Sequence, residues 1–112
     1  MRVEYTGPAL DDLLTITDYI ARDNPTAANR TKDRIFAATD LLADQPGIGR
    51  PGRVGRTREL IVRPYIVAYH VRGQVVEVLA VINGRRGTIA DIIAERSPTS
   101  SRRDWPTLRI ST

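Results

Sequence analysis

The chain has no cysteine and a single histidine, His70. The first absence removes both a disulfide framework and any thiolate metal site, and the second leaves too few imidazoles for a zinc centre. No apolar run approaches the ~20 residues that a membrane-spanning helix needs. The opening MRVEYTGPALDDLL carries Glu4, Asp11 and Asp12 where a secretory leader would need an unbroken apolar core. The expectation is a cytoplasmic protein with no membrane, metal or cofactor requirement, and 112 residues with 41% apolar content suit one modest domain. Lysine is scarce as well: sixteen of the seventeen basic residues are arginine.

What is present is unevenly charged. Residues 1–44 hold five basic and eight acidic side chains, a balance of −3, whereas residues 45–87 hold eight arginines against Glu59 and Glu77, a balance of +6. A basic half of this kind favours a polyanionic or acidic partner, and a solvated arginine-rich surface is the alternative.

Residues 2–5 alternate as a short first strand. Thr6-Gly7-Pro8 then supplies a cap followed by a proline suited to a first helical turn. Leu10, Leu13, Leu14, Thr17, Ile20 and Ala21 share one helical face, ending near Arg22 or Asp23. Asn24-Pro25 repeats the start signal for a second helix, with Ala28, Thr31, Ile35, Ala38, Thr39 and Leu42 at helical spacing. The short connection makes the pair an antiparallel hairpin. Residues 46–56, PGIGRPGRVGR, can be neither a helix nor a central strand. They form a basic loop without the lysine or the spacing of a P-loop.

Residues 57–87 are where strands and positive charge concentrate. Pro64 and Gly73-Gln74 divide them into three short strands, an antiparallel meander. The middle strand puts Tyr65, Val67, Tyr69 and Val71 on one face and Ile66, Ala68, His70 and Arg72 on the other. A short third helix follows over residues 88–96, capped by Thr88. Residues 97–112, rich in Ser, Thr, Pro and Arg, are expected to be a flexible basic tail, with Trp105 its one large apolar side chain. The fold class is therefore α+β: an N-terminal strand, a helical hairpin on a small antiparallel sheet, and a short C-terminal helix, with the domain over residues 1–96.

Groups that can move protons are few. His70 sits among apolar strand neighbours and is expected to be structural, with general-base chemistry the alternative. Glu59 follows Arg58 directly and points to the opposite side of its strand, so one of the two is expected to bond to a neighbouring strand or the loop. Asp11, Asp12, Asp18 and Asp33 lack a matching acid/base constellation and are expected on solvated helix faces. Tyr65 and Tyr69 either pack in the core or rim a groove. Arg85 and Arg86, between Gly84 and Gly87, suit contact with phosphate or carboxylate oxygens.

In order, DLLTITDYI (residues 12–20), GRPGR (49–53), TREL (57–60), PYIVAYHV (64–71) and VEVLAVINGRR (76–86) make the chain resemble the ParE branch of the RelE/ParE toxin superfamily. The resemblance spans roughly residues 3–87. It implies the toxin of a type II toxin–antitoxin module, forming a hetero-oligomer with a ParD-like or RelB-like antitoxin, of the ribbon-helix-helix or a similar class. The target it implies is DNA gyrase, or the ribosome for the mRNA-cleaving relatives. Arg63 and Arg86 match family arginines and would serve catalysis in a nuclease. However, Asn83 stands where many relatives have histidine, and no tyrosine follows Arg86, so a binding toxin is the better match. On this reading Arg58, Arg63, Arg85 and Arg86 would contact the target, while Leu13, Ile20, Tyr65 and Tyr69 would contact the antitoxin.

Overall fold

The computed structural model describes residues 1–84, 89–96 and 107–109. β1 (Arg2–Thr6) runs directly into α1 (Gly7–Ala21) because one hydroxyl serves both elements. Thr6 Oγ1 accepts the Ala9 N–H at 3.3 Å, capping the helix, and donates to the Val78 carbonyl of the neighbouring strand at 3.0 Å. α2 (Pro25–Asp40) starts in the same way, with Asn24 Oδ1 accepting the Ala27 N–H at 3.0 Å, and it ends in a 3₁₀ turn at Leu41–Ala43. Both helix starts match the cap-then-proline signals in the sequence.

The expected meander is present as β3 (Arg58–Val62), β4 (Tyr65–Arg72) and β5 (Val75–Asn83). Two further features extend it. β1 pairs with β5 in parallel, making the sheet mixed, and a two-residue strand, β2 (Arg50–Pro51), emerges from the basic loop to pair with β3. The loop therefore supplies an edge strand, the one strand position that tolerates its proline. α3 (Ile89–Arg96) follows, and Thr107–Arg109 forms β6, antiparallel to β1, within the segment expected to be a tail. The strand order is β2-β3-β4-β5-β1-β6. The remainder of residues 97–112, Trp105 included, and the Thr88 cap lie outside the described residues.

The alternation of the strands gives the sheet two faces. One carries Val3, Tyr5, Val67, Tyr69, Val76, Val78 and Val81, and it is covered by Ala9 and Leu13 of α1 and by Ile35 and Leu42 from α2 and its terminal turn. The other carries Ile66, Ala68, Ala80 and Ile82 against Ile93 of α3. Between Ala68 and Tyr69 the pairing slips from Ala80 to Val78, so Leu79 is an extra residue in β5. Leu14, assigned to the core stripe from its spacing, is 54% exposed. The buried arc of α1 is narrower than the stripe and holds Ala9 and Leu13.

Two tyrosines bring polar tips into this core, each with partners. Thr39 Oγ1 donates to the Phe36 carbonyl, so Tyr5 is the donor in its 2.8 Å bond to Thr39. Burial pushes the Tyr5 phenol up to about 12. Tyr69 donates to the Pro46 carbonyl at 2.8 Å and accepts the Gly49 N–H at 2.9 Å, which fixes the start of the basic loop against β4. Burial raises its pKa too, an effect opposed by the Gly49 bond and the nearby Arg58 charge. A Cβ at Gly49 would lie 2.5 Å from the Tyr69 oxygen, so only glycine allows this close approach.

Candidate functional site

β1 stops pairing with β5 at Val78, so among the described residues the last part of β5 has no strand on that side. α1 crosses this open stretch, and a groove of about 340 Å³ lies between them. Asp12, Thr15, Ile16, Tyr19 and Ile20 of α1 form one wall, and Tyr65, Val81 and Asn83 form the floor. The wall residues recur at steps of three and four along α1, which is how a helix presents one continuous face. Tyr19 stands at the rim, 72% exposed.

The open edge of β5 is closed by side chains. Asp12 Oδ2 accepts the Val81 N–H at 3.0 Å, while Arg96 of α3 donates to both carboxylate oxygens of Asp12 and, at 3.3 Å, to the Leu79 carbonyl. Both charged side chains are 21% exposed. The expectation that Asp12 lies on a solvated helix face is thus corrected: it ties α1 to β5 and α3. Its partner lies 84 residues away in sequence, beyond the reach of any local pattern.

Of the residues expected to meet an antitoxin, Ile20 and Tyr65 line the groove, whereas Leu13 (2% exposed) and Tyr69 (0%) are inside the core. The latter two are corrected to core residues. Leu13 packs under the helical hairpin, and the Tyr69 hydroxyl is spent on the loop. Thr15, Ile16, Tyr19 and Val81 also line the groove, and on α1 the sequence signal for it is the run Asp12, Ile16, Tyr19, Ile20, a second stripe beside the buried one.

The four arginines expected at a target surface do not form one cluster. Arg58 is half-buried and donates to the Gly47 and Gly49 carbonyls at 3.3 and 2.8 Å, so it organises the loop. Arg63 is exposed beyond the other end of β3, roughly 17 Å away at ~3.3 Å per residue. Arg85 and Arg86 lie outside the described residues. Arg34 of α2, which no motif singled out, donates to the Arg63 carbonyl at 2.7 Å. Gly84 N–H donates to the Pro64 carbonyl at 2.8 Å, which brings the end of β5 to the same corner.

The remaining titratable candidates are structural. His70 is 5% exposed, with Nε2 2.7 Å from Glu77 Oε1, and Arg72 holds the other oxygen of Glu77. Glu59 is 1% exposed and is held by Arg50 and Arg53, the bond to the loop expected for one member of the Arg58-Glu59 pair. Among the described residues no group of three or more His, Asp or Glu side chains is placed to hold a metal ion, and no helix is long and apolar enough to cross a membrane.

Fold and sequence together define the class. The family described as the ParE toxin of the type II toxin–antitoxin system, parDE, matches residues 3–87, and the chain belongs to that family. Among particular relatives it is 42% identical over 87 residues to "Putative toxin Y4kP" of Sinorhizobium fredii, spanning 76% of this chain and 90% of that protein. It is 34% identical over 85 residues to Toxin RelE2 of Caulobacter vibrioides, spanning 76% and 97%. A chain in the solved structure of the chromosomal ParDE TA system from P. aeruginosa superposes with a TM-score of 0.67 at 26% identity, covering 74% of this chain and 95% of that one.

Proposed function

We propose that this toxin acts by stoichiometric binding to DNA gyrase in the cytoplasm, and that a ParD-like antitoxin silences it by laying an amphipathic segment in the groove beside α1. The toxin domain spans residues 1–96, with β6 of residues 107–109 added at the edge of its sheet. The observation that carries the binding reading is the chemistry at the open end of the sheet. Asn83 closes β5 directly opposite Tyr65, and an amide does not exchange a proton near neutral pH. The one imidazole, His70, is buried against Glu77 and faces away from the helical hairpin. Arg63 beside this end stays protonated and suits the binding of oxyanions rather than proton transfer. For the antitoxin, Ile16, Tyr19, Ile20, Tyr65 and Val81 offer an apolar strip flanked by polar groups, the arrangement that takes an amphipathic helix.

The nuclease alternative is tested on translating ribosomes. The binding reading expects the purified toxin to leave ribosome-bound mRNA intact, with Arg63→Ala indistinguishable from wild type. Cleavage that requires the ribosome and disappears in Arg63→Ala would replace the binding reading with that of an mRNA interferase.

A further inference from the structure

Arginine is abundant here, so the informative question is which guanidinium groups already have carboxylate partners. Arg2, Arg50, Arg53, Arg72 and Arg96 do. Among the described residues, the exposed Arg22, Arg30, Arg34, Arg56 and Arg63 take part in no ion pair. Three of them, Arg30, Arg34 and Arg63, lie together. The bond from Arg34 Nη2 to the Arg63 carbonyl pins the α2 side chain at the corner between β3 and β4. Arg30 lies four residues before Arg34, one turn away on the same flank of the helix. At about 100° per residue Asp33 projects about 60° from Arg30 and about 100° from Arg34, and Asp40 about 80° and about 120° from them, so the acidic side chains border the arginine flank without forming an ion pair with it.

One donor of Arg34 is spent on the backbone, which holds the planar group in place while its other N–H groups remain to serve a ligand. Part of the ordering cost of binding is thereby met before any ligand arrives. The held guanidinium of Arg34, with Arg30 a turn before it and Arg63 in the turn between β3 and β4, suits oxyanions repeated along a line. We infer that this corner is a second interaction surface, formed by Arg30, Arg34 and Arg63, that binds the phosphate backbone of duplex DNA without reading its sequence. None of the three arginines lines the groove, whose floor begins at Tyr65, two residues beyond Arg63. The surface does not depend on the gyrase reading, because the DNA is bound by this chain directly.

The test is fluorescence anisotropy of a short labelled DNA duplex titrated with the full chain, with no gyrase or antitoxin present, over a series of salt concentrations. Binding should weaken steeply with salt. Arg34→Ala and Arg63→Ala should each reduce the slope of log K against log salt by about 1, and shuffling the duplex sequence should change nothing. Arg34→Lys keeps the charge and should retain most of the slope. Arg72→Ala, at the far hairpin and engaged by Glu77, is the control and should match wild type. Thermal melts of each variant separate loss of contact from loss of fold. The inference is overturned if the wild type fails to bind at low salt, if Arg72→Ala lowers the slope as much as Arg34→Ala, or if a polyglutamate peptide competes as well as duplex DNA. The last result would mark the corner as a surface for acidic protein.

Discussion

Tyr19→Glu is expected to weaken antitoxin binding by at least about 100-fold, on the order of 3 kcal/mol, while leaving the melting temperature of the free toxin unchanged. The separation of the two effects follows from where Tyr19 stands. At 72% exposure its ring contributes little to the core, and surface substitutions of this kind usually stay within about 0.5 kcal/mol of wild-type stability. In a complex the ring would be covered. Its replacement then loses the buried aromatic area and also places a carboxylate with no cationic partner against Ile16 and Ile20. Tyr65→Glu on the floor should have the same effect on binding, with a modest stability cost because that ring is half-buried. Titration calorimetry of each variant with the cognate antitoxin, beside a thermal melt, checks both halves of the expectation. Unchanged affinity in both variants would remove the groove from the antitoxin interface. Leu13 and Tyr69 cannot serve as such probes, since substituting either disturbs the core before any partner arrives.

The second large effect concerns folding. Glu59 is 1% exposed and accepts from Arg50 Nε at 3.2 Å, from Arg50 Nη2 at 2.9 Å and from the Arg53 N–H at 3.3 Å, with Arg53 Nε at 3.4 Å. Arg50 and Arg53 are themselves 52% and 44% exposed. The cluster is therefore asymmetric. Removing the carboxylate frees two arginines that can turn to water, whereas removing the arginines strands a charge that cannot. Arg50→Ala with Arg53→Ala should cost about 3–5 kcal/mol, the range for an uncompensated buried charge, and lower the melting temperature by roughly 10–20 °C. Adding Glu59→Gln to that pair should restore most of the loss, because an amide in the same volume carries no charge. If the double variant melts like wild type, the carboxylate is not held as described. If the triple variant fails to recover, the arginines act through contacts other than Glu59.

Much of the frame could be read from local chemistry. Thr6-Gly7-Pro8 and Asn24-Pro25 state their helix starts in adjacent residues, and Pro64 and Gly73 divide the meander without reference to anything distant. At Gly73 φ is +59°, a conformation other residues adopt at a cost. What could not be read depends on contacts between remote segments. The parallel pairing of Arg2 with Val75 places β1 beside β5 instead of leaving a freestanding strand, and no local pattern encodes that neighbour. Asp12 looks like a surface carboxylate until Val81 and Arg96 come into view. Leu14 and Tyr19 show the same limit on one helix. Helical spacing gives the direction of a stripe but not its width, so it places the exposed Leu14 in the core and does not single out the groove-lining Tyr19. The arginines divide similarly. Arg58 and Arg63 are equally basic in sequence, but loop carbonyls engage the guanidinium of Arg58, whereas Arg63 is left exposed beside Arg34.

A binding toxin needs its target in proportion to itself, and an enzyme does not. The direct test is therefore DNA supercoiling by purified gyrase, titrated with the full-length toxin around equimolar ratio and repeated after adding the antitoxin. Supercoiling should be lost, or cleaved DNA trapped, in step with the amount of toxin, and antitoxin should restore supercoiling in the presence of wild-type toxin but not of Tyr19→Glu. Gyrase unaffected by a micromolar excess of folded toxin would contradict the binding reading.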